Sequence, residues 1–223
     1  MNLATMFLLF IMYSFLGWCL EVVYVSIKNH RITARGFLIG PCCPIYGTGA
    51  LLMTIFLDKY QGDIFVLFLM SCFVGVALEY FTSYIMEKLF KTRWWDYSDR
   101  KYNINGRICL ENGVIFGVLG VLLIEYINPM LSNIIESISP IIFNTILMTI
   151  LVVFITDIII SFKIISNIKK IDLSDEKDTT EEIRKKVHET LKERSVLSNR
   201  LINAFPNLKI DFARILKKRN KQV

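Results

Sequence analysis

Charged residues are nearly absent from long stretches of the first three quarters of the chain and crowd the last quarter, from about Asn167 onward. Within the apolar part, five runs approach the roughly 20 residues that a helix needs to cross a hydrocarbon core about 30 Å thick. The pattern predicts spans at 3–27, 37–57, 64–90, 108–127 and 139–165, joined by short polar segments. The second is interrupted by Pro41, Pro44 and several glycines, and the fourth near its start by Glu111, Asn112 and Gly113. Membranes tolerate such breaks where neighbouring helices or cavity water satisfy the freed backbone groups. The first run has no basic residue before it and no small-x-small motif after it, so it reads as a retained span and not as a cleaved signal. The expected fold is an all-α polytopic membrane helix bundle over residues 1–166, carrying a tail over 167–223.

In the tail, Thr179 and Glu182 have capping-box spacing, and Ile183, Val187, Leu191, Leu197 and Leu201 form a helical apolar stripe that Pro206 ends. Ile210, Phe212, Ile215 and Leu216 then punctuate the basic run 209–221. These features predict cytoplasmic amphipathic helices lying on anionic lipid or a partner, with too little apolar surface for a separate core.

Composition sharpens this picture at two points. The chain is 53% hydrophobic yet 21% charged, with a net charge of +6, so its charges have to be segregated. Lys28, Arg31 and Arg35 follow the first span; Lys88, Lys91, Arg93, Arg100, Lys101 and Arg107 follow the third; the tail is rich in both types. Only Lys59 follows the second span, and no basic residue follows the fourth. Basic loops stay cytoplasmic, which predicts an outside N-terminus, a cytoplasmic C-terminus and basic residues facing lipid headgroups, with no role in nucleic-acid binding. The five cysteines lie within spans or near cytoplasmic span starts, where free thiols are expected.

Two segments repeat. Ser14 to Glu21 reads Gly17-x-x-x-Glu21, then Tyr24; Ser71 to Glu79 reads Gly75-x-x-x-Glu79, then Tyr80. "GFLIGPCCPIYGTG" from Gly36 aligns with "GRICLENGVIFGVLG" from Gly106, placing Tyr46 on Phe116 and Gly47 on Gly117. A tandem duplication of a two-span unit accounts for both matches, and parallel repeats of this kind arrange corresponding features around an axis along the membrane normal. Self-alignment of glycine-rich apolar sequence is the simpler alternative. Gly36 with Gly40, and Gly113 with Gly117, have Gly-x-x-x-Gly spacing, expected to bring helices into close contact together with Gly17, Gly47 and Gly75.

Glu21 and Glu79 are the leading candidates for chemistry, because a charge near a helix centre costs about 2.5–3.5 kcal/mol and usually faces a bundle interior or a wet cavity. They are candidate substrate- or ion-binding or proton-relay groups, with Tyr24, Tyr80 and Asp157 as further members of that set; interhelical hydrogen bonds to Tyr24, Tyr80 or a loop arginine are the structural alternative. For Asp157, pairing with a loop cation is the expected role. Arg93, Trp94, Trp95, Asp96, Tyr97, Asn103, Asn105, Gly106 and Arg107 crowd one loop. This is either an aromatic interfacial anchor and turn, or a folded loop that closes over the two glutamates or docks a partner; the mixture of polar types favours the second. Adjacent Cys42 and Cys43 are poorly spaced for zinc, no phosphate-binding loop occurs, and neither histidine sits in a catalytic pattern. No metal, no cofactor and no intrinsic catalysis are therefore expected.

"YSFLGWCLE", "GFLIGPCCPIYGTG", "WWDYSDRKYNINGRICLENG" and "LINAFPNLK" together resemble the type IV ABC-transporter permease family of small bacterial multi-pass membrane proteins. The resemblance implies a permease-like transporter component in the bacterial cell membrane, working with a separate ATPase. Five spans around a small cavity also point to a homodimer as a partner arrangement. Two other readings stay open: an enzyme or regulator of envelope lipid metabolism, and a sensor or scaffold acting through the tail.

Overall fold

The computed structural model describes residues 2–30, 36–90, 92–168 and 209–210. Among these residues it is a bundle of five helices: α1 (Leu3–Asn29), α2 (Pro44–Leu57), α3 (Ile64–Phe90), α4 (Leu110–Ser137) and α5 (Pro140–Ile168). All but α2 are long and apolar enough to cross a membrane. Asn2 caps α1 by accepting from the Thr5 amide at 2.7 Å, and His30 ends it in the left-handed conformation at φ 50°. Large side chains such as Phe15, Val23, Phe73, Val152 and Val153 are exposed, as expected where lipid is the solvent. Except for the pair Lys209–Ile210, the tail features at 179–206 and 211–221 lie outside the described residues.

Two expected spans begin or end elsewhere. The second begins at Pro44 and not at residue 37, and its 14 residues rise only about 21 Å. Pro41 and Pro44 donate no hydrogen bond and bias Gly40 and Cys43 away from helical geometry, so residues 36–43 form an irregular segment, and Gly36 and Gly40 do not share a helical face. The fourth continues past residue 127 to Ser137. Pro129 cannot donate to Glu125 four residues back; the backbone widens into a π-segment at Leu123–Ile127, with the Asn128 amide reaching the Leu123 carbonyl, and the helix goes on. Glu125 is therefore not near the end of its helix.

The apolar core sits at one end of the bundle. Leu8, Leu9 and Tyr13 of α1 meet Met53 and Leu57 of α2, Leu67 of α3, and Leu123, Ile124, Leu131 and Ile135 of α4. A buried polar thread crosses it: Tyr13 Oη donates to Asn128 Oδ1 at 2.7 Å, and Asn128 Nδ2 donates to Asp58 at 3.3 Å. Glu125 accepts from the Gly62 amide at 2.7 Å, tying the α2–α3 turn to the π-segment.

Towards the other end, α1 meets α2 and α3 meets α4 through matching contacts. Gly17 lies against Tyr46 and Gly75 against Phe116; Gly47 lies against Phe10 and Ser14, and Gly117 against Phe68 and Cys72. Any Cβ at these glycines would overlap its neighbour, so both pairs depend on the missing side chains. Among the described residues there are also two short antiparallel pairs: β2 (Asn103–Ile104) with β3 (Ile108–Cys109), and β1 (Thr92–Arg93) with β4 (Lys209–Ile210).

Candidate functional site

The helices line a cavity of about 600 Å³ that reaches the core at Tyr13, Met53 and Leu123. Its walls come from all five helices, the 36–44 segment and the loop before α4, and they are largely apolar. Glu21 and Glu79 both border it, so the two carboxylates that share a Gly-x-x-x-Glu motif share one cavity.

Their partners are not those expected. Tyr46 Oη donates to Glu21 Oε1 at 2.7 Å, and Tyr97 Oη donates to Glu79 Oε1 at 3.0 Å. Tyr24 is 59% exposed, and the Tyr80 hydroxyl instead accepts from Asn105 Nδ2 at 3.0 Å. The reason is local: the Tyr46 ring lies on Gly17, one turn before Glu21, so its hydroxyl reaches the carboxylate. Phe116 lies in the same way on Gly75 but has no hydroxyl. Glu79 takes its donor from the loop, with Asn112 Nδ2 donating to the Tyr97 hydroxyl at 2.8 Å and approaching Glu79 at 3.4 Å. Glu79 is 7% exposed, and its Oε2 has no hydrogen-bond partner among the described residues.

The loop is folded. Arg107 donates to Glu87 at 2.8 Å and to Ser83 at 3.3 Å, and Arg93 reaches the same Glu87 at 3.2 Å and Asp96 at 3.6 Å. Trp95 Nε1 donates to the Arg107 carbonyl at 3.1 Å, and the Tyr97 amide to the Gly106 carbonyl at 2.8 Å. Asn103 Oδ1 accepts from the Gly106 amide at 2.9 Å, while Asn105 and Gly106 take the left-handed conformation at the hairpin turn. A side chain at Gly106 would meet Ser98 and Asp96 as well. This scaffold turns Trp94, Trp95 and Tyr97 into the cavity, with Trp94 edge-on to Phe37 at 5.4 Å. The Tyr97 phenol is pushed well above its ordinary range, first by burial and then by the neighbouring Glu79 carboxylate, so it stays a hydrogen-bond donor.

Asp157 pairs with backbone, where a loop cation was expected. Its two oxygens accept from the Ile39 and Gly40 amides at 2.9 Å each, and Ser161 adds a hydrogen bond to Oδ1 at 3.1 Å. Proline-broken backbone leaves these amides without helical partners, and a Cβ on Gly40 would stand 2.7 Å from the carboxylate. Asp157 thereby fixes the 36–43 segment to α5. Gly113 faces Val76 one turn before Gly117, whereas Gly36, at φ 115°, serves a turn.

Tyr46, Glu87 and Asn112 went unrecognised as site residues in the sequence. Tyr46 carried a partial signal, since the repeat aligns it with Phe116, and the two rings occupy matching places on Gly17 and Gly75. No curated protein and no solved structure matches the chain. A family profile covers residues 8–162, which contain the cavity, both glutamates and the folded loop. The chain belongs to this family, described as "Putative ABC-transporter type IV".

Proposed function

We propose that the chain is a permease-like membrane subunit of an ABC-type transport system, driven by a separate ATPase, and that the cavity is its substrate or ion site. The observation that carries this reading is the placement of Glu21 and Glu79 on one cavity beneath a folded loop that supplies Tyr97 to Glu79. In this reading Glu21 and Glu79 bind or relay the charge that moves, Tyr46 and Tyr97 orient them, and the 92–109 loop gates the cavity or couples it to the ATPase. The family supports the ABC context. The basic loops support a bacterial cell membrane setting with the N-terminus outside and the C-terminus in the cytoplasm. The matching Gly17–Tyr46 and Gly75–Phe116 contacts support a tandem two-helix duplication. The uncovered side of α5, with Val152, Val153 and Ile155 exposed, suits lipid or a second copy of the chain.

A second reading, output through the tail, has one observation in its favour: Lys209 and Ile210 pair with Arg93 and Thr92 at the base of the loop. The lipid-headgroup reading is weakened because Arg93 and Arg107 already hold Glu87.

Purification from native membranes tests the first reading. A nucleotide-binding ATPase should copurify, and its clean absence removes the ABC assignment. Truncation after Lys170 should leave that association intact; its loss would favour the tail.

A further inference from the structure

We propose that the cavity takes an amphiphilic organic cation, with an ammonium- or phosphonium-like head met by Glu79 and an apolar body held among aromatic rings. The inference rests on the reading of the cavity as a binding site and adds the class of its ligand.

Four chemistries compete for such a cavity, and its walls separate them. Among the described residues that border it, the carboxyl side chains are Glu21 and Glu79, with no lysine, arginine or histidine. An anion would meet two carboxyl groups and no cationic side chain among the described residues of the lining. A hard metal ion asks for six or more oxygen ligands, whereas these walls are largely apolar and the Tyr46 and Tyr97 hydroxyls are already donating to the carboxyl groups. A neutral apolar molecule would fill the space but leave Glu79 Oε2, which no group of the described residues meets, as it is. An organic cation satisfies the carboxylate and the walls together.

The walls carry the second half of the argument. Trp94, Trp95, Tyr97, Phe116, Phe154 and Phe162 place aromatic rings around the space, and ring faces attract cations that have shed water. A weakly hydrated organic head enters such a site more readily than a small inorganic ion does. Tyr97 and Asn112 both approach Oε1, leaving Oε2 as the free oxygen for the head. In this conformation Oε2 is sealed from water, so binding entails rotation of the carboxyl toward the cavity it borders.

The test uses the full chain in phosphatidylcholine nanodiscs, with the fluorescence of Trp94 and Trp95 as readout. Tetraphenylphosphonium and tetraphenylborate share a shape and differ in sign. The phosphonium should quench saturably and the borate should not, and E79Q should weaken phosphonium binding at least tenfold while E125Q, in the π-segment, leaves it unchanged. Equal binding of both ions, or wild-type affinity in E79Q, overturns the inference. Should E79Q fail to fold, the wild-type protein decides: phenyltrimethylammonium should displace the phosphonium and its neutral isostere tert-butylbenzene should not, and equal displacement overturns the inference. Labelling of T82C by a small thiol reagent separates the two levels. A labelled cavity without cation preference removes only the ligand class, and an unlabelled one removes the site itself.

Discussion

Asp157 offers the sharpest perturbation, because its structural role can be read atom by atom. The Gly40 amide meets Asp157 Oδ2 at 2.9 Å, while the Ile39 amide meets Oδ1 at 2.9 Å and has Ser161 Oγ as a second acceptor at 3.2 Å. D157A removes both carboxylate bonds and leaves the Gly40 amide facing a gap. Hydrogen bonds to charged groups contribute about 1.5–3 kcal/mol each. With Ser161 retaining Ile39 and Asp157 only half-buried, the expected local loss is about 2 kcal/mol. That is roughly a thirtyfold increase in amide exchange, since 1.4 kcal/mol is tenfold. D157N keeps one acceptor oxygen and should fall between D157A and wild type. Hydrogen exchange read by mass spectrometry on a peptide covering 36–43, with a peptide from α3 as internal reference, measures it. Unchanged exchange in D157A would refute the proposed fastening of this segment to α5.

Other consequences follow from the same geometry. G17A and G75A should each destabilise the bundle by about 1–3 kcal/mol, because a Cβ overlaps Tyr46 or Phe116, and matched losses of thermal stability would bear out the equivalence of the two contacts; a neutral result at either site speaks against it. R107Q breaks a largely buried pair with Glu87 and should cost about 2 kcal/mol and expose the loop to protease, whereas unchanged cleavage would show that the loop holds without it. The raised Tyr97 phenol keeps its proton after the unfolded chain has lost it, so its contribution is intact below pH 10 and declines as pH rises above it. Y97F should flatten that decline in a pH-stability series, and identical profiles would count against the buried donor.

The long spans were legible because apolar length alone sets them: the expected 3–27 and 64–90 lie within or match α1 and α3. Pro44 sits at the first turn of α2 and marks its start, as the interruption of the second span suggests, whereas Pro129 follows the π-segment of α4 without ending the helix. The two glutamates could be read as a pair from their shared motif. Their partners could not, because Tyr46 reaches Glu21 only through the packing of its ring on Gly17, and Tyr97 reaches Glu79 only through the fold of the loop. The donors to Asp157 are backbone amides, which sequence reveals only once the 36–43 segment is known not to be helical.

The central claim is that Glu21 and Glu79 border a cavity that small molecules enter, and thiol accessibility in sealed vesicles measures this directly. In a background with the native cysteines replaced, T48C and T82C place thiols on the cavity lining, on α2 and α3, and I124C places one in the fully buried core. The account predicts that a small thiol reagent labels T48C and T82C, that a bulky reagent does so more slowly, and that I124C stays unlabelled. Protection of T48C and T82C to the level of I124C would contradict it, leaving the two glutamates in a closed seam.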